Sequence, residues 1–254
     1  MSIKKAVKHL VRKTGFDIVR FTPGVEQGLP PDLSIEDQRI ITAVLPFTMT
    51  STERLAAMIE ATRHISAANV PGSIVECGVW RGGSTMAALL KLRSLSVTDR
   101  EVYLYDTFEG MCEPTDKDIS HDGVPAAVQF AQAKRDTGSW CRASLEDVKQ
   151  NVVSTGYPQA KIHFLRGKVE ETIPGTIPSS IALLRLDTDW YESTKHELQH
   201  LFPLLHPRGV LIVDDYGHWA GARKAVDEYF NSTRANYYFH RIDYSGRTIT
   251  RLGG

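Results

Sequence analysis

Two segments in the C-terminal third, LLRLDTDWYEST at residues 183–194 and LIVDDYG at residues 211–217, each run an apolar stretch straight into acids. Strands of that apolarity are mostly buried, so ending them in Asp187 and in Asp214-Asp215 gathers negative charge at one edge of a sheet. Carboxylates so gathered repel unless a cation joins them. An oxygen-rich cluster suits a hard divalent cation such as Mg²⁺, and the carboxyl ends of parallel strands are where such a site forms. Aspartate also caps helices, which explains one such acid more readily than it explains two segments of them. Asp189, two residues beyond Asp187, is expected to cap a helix starting near residues 193–194. His218 follows the Asp pair closely and has an intrinsic pKa suited to proton transfer.

A second constellation lies upstream, at Glu76-Cys77-Gly78-Val79-Trp80-Arg81-Gly82-Gly83-Ser84. Glycines let a ligand approach the backbone, and the helix that follows offers free N–H groups. The order Gly-x-x-x-Gly-Gly departs from the Gly-x-Gly-x-x-Gly dinucleotide turn, which counts against a nicotinamide-dependent oxidoreductase. With Glu76 before the first glycine and Asp106 ending the next apolar segment, it resembles the S-adenosylmethionine turn of class I methyltransferases. That resemblance implies that Asp106 accepts from both ribose hydroxyls and that Glu76 attracts the methionyl ammonium, directly or through water.

Elements that position these groups follow from periodicity. Residues 51–65 place Leu55, Met58, Ile59 and Ile65 on one helical face behind a Ser-Thr start. Short apolar strands are expected at 73–77, 101–106, 162–167, 181–187 and 210–214, alternating with helices at 84–95 and 194–205. This alternation predicts an α/β, doubly wound, mostly parallel sheet with right-handed crossovers. The ending differs: residues 237–242 and 248–252 flank a Ser245-Gly246 turn and predict two antiparallel strands. Residues 108–145 are too long for a plain connector and read as a lid or substrate insertion around a helical patch at 126–134. Residues 1–45, a basic helix and a Pro/Gly connector, read as an N-terminal helical appendage, and 46–254 as the catalytic domain.

Thirty basic and thirty acidic residues leave no net charge, so nothing favours a nucleic-acid partner and a small molecule is the better expectation. Three widely spaced cysteines without a Cys-x-x-Cys pair argue against disulfides and structural zinc and for a reducing cytoplasm. No run approaches the ~20 apolar residues of a membrane span. No heptad pattern insists on self-association, and a homo-oligomer stays open.

Taken together, TMTSTERL (48–55), VECGVWRGGS (75–84), YDTFEGM (105–111), SLEDVKQNV (144–152), GKVEETIP (167–174), LLRLDTDWYEST and VDDYGHWAGARKAVDEY (213–229) resemble the macrocin O-methyltransferase family. The resemblance implies a seven-stranded Rossmann-like methyltransferase sheet with an antiparallel C-terminal hairpin. It implies S-adenosylmethionine as methyl donor, and a divalent cation, most simply Mg²⁺, on Asp187, Asp214 and Asp215. Cofactor contacts are implied at Thr48, Met49, Glu76, Gly78, Arg81, Gly82 and Ser84. Further contacts are implied at Asp106, Thr107, Phe108, Ser144, Gly167 and Asp187, with Trp140 near the adenine. The implied acceptor is a hydroxyl of a sugar or other polar small molecule, its proton taken by Asp187 or His218. A non-catalytic protein that merely binds S-adenosylmethionine is the alternative, and it gives no reason for the acids to be intact.

Overall fold

The computed structural model describes residues 29–233 and 237–252. The chain divides between Leu33 and Ser34. The basic helix expected near the N-terminus lies outside the described residues, and every described helix and strand belongs to the second unit.

That unit begins with helix α1 (Ile35–Val44), capped by Ser34, whose side chain accepts from the Asp37 N–H. Helix α2 (Thr52–Ala67) is capped in the same way by Ser51. Alternation then sets in: β1 (Ser73–Cys77), α3 (Gly83–Ser94), β2 (Val102–Asp106), α4 (Ala126–Thr137), α5 (Leu145–Ser154), β3 (Ile162–Arg166) and the short α6 (Val169–Thr172). It continues with β4 (Ile181–Leu186), α7 (Tyr191–Leu201), β5 (Leu205–Val213) and α8 (Ala220–Ser232), then β6 (Tyr237–Arg241) and β7 (Arg247–Arg251).

The seven strands form one sheet in the order β3-β2-β1-β4-β5-β7-β6, with β7 antiparallel to both β5 and β6. This is the mostly parallel sheet with an antiparallel final pair that the sequence predicts. β1 and β4 are buried at every position, as central parallel strands covered on both faces must be. Two charged residues sit in that buried pair, Glu76 on β1 and Arg185 on β4, and the register makes them direct neighbours. Charges so deep are tolerated only when paired. The core between sheet and helices is aliphatic and aromatic, with Leu184, Leu198, Leu211, Phe202 and Phe230 among its members.

α1 lies against α3 through a buried ion pair: Lys91, on α3, reaches Asp37 at 2.9 Å and Glu36 at 2.8 Å. The segment after α1 is thereby carried to the glycine turn, where it contributes Thr48, Met49 and Thr50 to one wall of a cavity. Helix α7 starts at Tyr191, earlier than residue 194, and ends at Leu201. Among the described residues no helix is long and apolar enough to cross a membrane.

Candidate active site

A cavity of about 650 Å³ opens at the carboxyl ends of the central strands, and both sequence constellations line it. The glycine turn and the first acid loop meet backbone to backbone. Gly78 adopts φ +80°, and a Cβ there would collide with the Asp187 carbonyl oxygen. The Asp187 N–H in turn donates to the Cys77 carbonyl at 2.8 Å. Only glycine fits such an approach. Gly78→Ala is therefore expected to displace the turn and the acid loop together, and S-adenosylhomocysteine titration should detect no binding to that variant. Binding within threefold of wild type would show the contact to be yielding.

Asp106, at the end of β2, braces the same turn from below. Its Oδ2 accepts from the N–H groups of Val79 at 2.7 Å and Trp80 at 3.0 Å, and its Oδ1 from Phe108 at 2.7 Å. The carboxylate thus shapes the turn and lines the cavity, its Oδ1 also accepting a long 3.4 Å bond from the Thr107 hydroxyl.

Next to the glycine turn, Asp187, Asp214 and Asp215 each bring a carboxylate oxygen within 4.8 Å of the others. Arg185 underlies them. Its Nη1 meets Asp187 Oδ2 at 2.8 Å and Glu76 Oε1 at 2.6 Å, while its Nη2 meets Asp214 Oδ1 at 2.6 Å. Arg54, from the first turn of α2, pairs with the other oxygen of Asp214 and reaches Asp243 at 3.0 Å. Asp214 is therefore well compensated, and Asp187 shares one guanidinium. Asp215 instead faces Asp189 and Asp187. Burial, added to by its acidic neighbours, holds its pKa well above the carboxylate range. Burial, with Asp214 and Asp215 adjacent, raises Asp187 likewise. Burial with Asp187 nearby pushes Asp189 up to about 7.

Acids gathered at such cost suit a divalent cation, whose charge would offset the repulsion and whose oxygen preference matches the donors. A raised carboxyl pKa means the folded state binds more protons than the unfolded chain. Stability is then greatest at low pH and is lost as pH rises through the folded value. In the presence of chelator, the melting temperature is expected to fall between pH 5 and 8, and excess Mg²⁺ to flatten that slope. Parallel profiles with and without Mg²⁺ would show that no cation relieves these acids.

His218 lines the cavity beside Asp215, and its Nδ1 shares a 3.2 Å hydrogen bond with the Tyr244 hydroxyl. Burial, followed by the neighbouring His121 and Arg54, lowers its pKa and keeps the ring neutral. Trp140, Trp190 and Trp219 pack edge to face, with ring centroids 5.0–6.2 Å apart.

Of the positions expected to hold the cofactor, Thr48, Met49, Gly78, Ser84, Asp106, Thr107, Gly167 and Asp187 line the cavity. Glu76, Arg81, Gly82, Phe108 and Ser144 are not among its lining residues. Glu76 is fully buried beneath the wall, its two oxygens taken by Arg185 and the Thr85 hydroxyl. Arg81 turns aside to Asp147 at 3.1 Å and to the Pro46 carbonyl at 3.0 Å. Gly82 is the left-handed N-cap of α3, Phe108 packs near Phe164, and Ser144 caps α5.

The expectation that Asp189 caps the next helix is corrected. α7 starts directly after Trp190, whose side chain makes no cap bond, and Asp189 sits at φ +67° facing Asp215. The first N–H of α7, that of Tyr191, goes instead to Asp118 Oδ1 at 2.8 Å. Asp118 belongs to the long insertion, is 1% exposed, and sits where any side chain at Gly221 would collide with it. It ties the insertion to the starts of α7 and α8, the helices that follow the two acid loops. Asp118→Ala is expected to cost about 1–2 kcal/mol for the lost cap, read by urea denaturation. An unchanged midpoint would assign the cap to water.

The macrocin-O-methyltransferase family model matches residues 36–251. Demethyldecarbamoylnovobiocin O-methyltransferase from Streptomyces niveus is 35% identical over 182 residues, 72% of this chain and 67% of that one. The 8-demethyl-8-(2,3-dimethoxy-alpha-L-rhamnosyl)-tetracenomycin-C 4'-O-methyltransferase from Streptomyces olivaceus is 37% identical over 182 residues, with the same coverage. Among solved structures, the O-methyltransferase NovP aligns with TM-score 0.72 and 31% identity, over 82% of this chain and 83% of that one. The calicheamicin methyltransferase CalS11, at 19% identity and TM-score 0.61 over 96% and 97% of the two chains, shares the fold.

Proposed function

Because the chain belongs to the macrocin-O-methyltransferase family, we propose that it transfers the methyl group of S-adenosylmethionine to a hydroxyl of a sugar or other polar small molecule, with a divalent cation. The observation that carries this reading is one cavity in which the braced glycine turn faces three converging carboxylates. The relatives from Streptomyces niveus and Streptomyces olivaceus are named as O-methyltransferases of demethyldecarbamoylnovobiocin and of a rhamnosyl tetracenomycin, which supports the same acceptor class.

In this reading the turn at residues 78–84 and the Asp106 carboxylate seat the donor, with ribose hydroxyls within reach of Asp106. Asp187, Asp214 and Asp215 hold the cation. A divalent ion bound there lowers the pKa of a hydroxyl and fixes its oxygen. The chain's own contribution is alignment and proton removal. The hydroxyl oxygen attacks the methyl carbon in line with the departing sulfur, and the hydroxyl proton leaves to a base on the same wall. We assign that base to His218, neutral by burial, with Asp187 occupied as a ligand. His218→Asn is expected to lower kcat about 10²-fold while leaving S-adenosylhomocysteine affinity within threefold. A kcat within threefold of wild type would move the proton to Asp187.

Calorimetric titration of S-adenosylmethionine and S-adenosylhomocysteine, with and without Mg²⁺, tests the proposal on wild type and Asp106→Ala. Micromolar binding to the wild type, lost in the variant, is the expected result. No binding under any condition, or a melting-temperature rise with NADH instead, would overturn the methyltransferase reading.

A further inference from the structure

The charge around the cavity restricts what enters it. Asp187, Asp189, Asp214 and Asp215 stand at the strand ends and Asp106 beneath the glycine turn. Glu113, Glu170, Glu171 and Glu192 also line the cavity and are exposed. Against these nine carboxylates the lining holds, among the described residues, three cations, Arg54, Lys168 and Arg185, while Lys117 pairs with Glu192 at 2.5 Å from outside the lining. Both arginines are already committed, Arg185 to Glu76, Asp187 and Asp214, and Arg54 to Asp214 and Asp243. Of the three lining cations, only Lys168 is left to meet an anion. Phosphate recognition ordinarily uses bidentate arginine or a cluster of cations, and this wall has neither to spare.

The imbalance survives loading. A sulfonium donor and a divalent cation would add three positive charges and still leave carboxylates in excess. A low-dielectric cleft lined by one sign of charge concentrates the opposite sign and repels its own.

Resting on the methyltransferase reading, we propose that the cavity selects an acceptor free of anionic groups, an uncharged or amino-bearing hydroxyl compound, and rejects nucleoside-diphosphate sugars. Glu113, Glu170 and Glu171 set that preference, because they are exposed acids of the lining that belong to neither the acid triad nor the glycine turn, and Glu192 adds less because it already pairs with Lys117 at 2.5 Å. Their carboxylates repel a diphosphate and attract an ammonium, and salt weakens both effects.

All four tryptophans of the chain, Trp80, Trp140, Trp190 and Trp219, line this cavity, so intrinsic fluorescence reports its field without an identified acceptor. The test compares collisional quenching by caesium, acrylamide and iodide in protein loaded with S-adenosylhomocysteine and Mg²⁺, each normalised to N-acetyltryptophanamide. Caesium is expected to exceed iodide by about threefold or more, and the Glu113→Gln, Glu170→Gln, Glu171→Gln, Glu192→Gln variant to bring the ratio toward one. These side chains are exposed, so the variant keeps its fold. Equal quenching by the two ions in the wild type overturns the proposal. A second arm compares p-nitrophenyl α-L-rhamnoside with TDP-L-rhamnose by calorimetry on the same loaded protein. The nucleotide sugar is expected to bind about tenfold or more weakly and to gain in the fourfold variant, whereas equal or tighter wild-type binding of TDP-L-rhamnose overturns it. If S-adenosylhomocysteine itself fails to bind, the methyltransferase reading falls, and quenching of the unloaded protein still reads the sign of the cavity.

Discussion

Arg185→Met is expected to destabilise the protein by about 3–5 kcal/mol at pH 8, a fall of roughly 10 °C in melting temperature. Among the described residues Arg185 is the one cation that joins Glu76, Asp187 and Asp214. Its guanidinium holds Glu76 at 2.6 Å, Asp214 at 2.6 Å and Asp187 at 2.8 Å, and it is 2% exposed. Methionine fills most of the same space, so the loss measures charge more than volume. Glu76 would be left fully buried with Thr85 as its partner, and burial already holds its pKa above the ordinary value. Without Arg185 that pKa climbs further, and the folded variant takes up a proton that the unfolded chain releases near pH 4 to 5. The stability gap to wild type should therefore narrow as pH falls from 8 to 5. Adding Glu76→Gln should recover part of the loss, because an amide needs no counter-charge. Urea denaturation at two pH values checks all three statements. A single variant within ~1 kcal/mol of wild type at pH 8 would mean that water or a cation already compensates these acids.

Asp215→Asn is expected to move activity and stability in opposite directions. Asp215 sits against Asp187, Asp189 and Asp214, and among the described residues no arginine forms an ion pair with it. Replacing its carboxylate with an amide removes like-charge repulsion, so in chelator the variant should be more stable than wild type by about 1–2 kcal/mol. The same change removes a donor from the proposed cation site, and methyl transfer should drop by roughly 10²–10³-fold. S-adenosylhomocysteine affinity should stay near wild type, because the glycine turn and Asp106 are untouched. Stability lost in chelator would show that the acids support one another through shared protons. Full activity in the variant would remove Asp215 from the proposed site.

Much of this architecture is legible from residue pattern. Apolar runs at 73–77, 181–187 and 210–214 mark the central strands because parallel strands covered on both faces leave no polar alternation to confuse them. Acids at the ends of those runs mark the site because the strands are parallel and deliver their carboxyl ends to one edge of the sheet. The start of α7 escapes the pattern because its cap does not come from the residues before it. The helix borrows Asp118, 73 positions upstream. No local rule reports a cap supplied from that far away.

Sequence alone thus determined the sheet, its antiparallel close, the family resemblance and the two constellations that face each other. Each follows from periodicity or from a motif whose members are near in the chain. Tertiary structure decided the charge economy of the site. Glu76 is an acid beside a glycine turn until strand register sets it against Arg185, 109 residues away, and turns it inward. Asp214 reads like Asp215 until Arg54 arrives from 160 residues upstream and neutralises one of them. Which carboxylates remain uncompensated depends on distances between residues remote in the chain, and folding alone sets those distances.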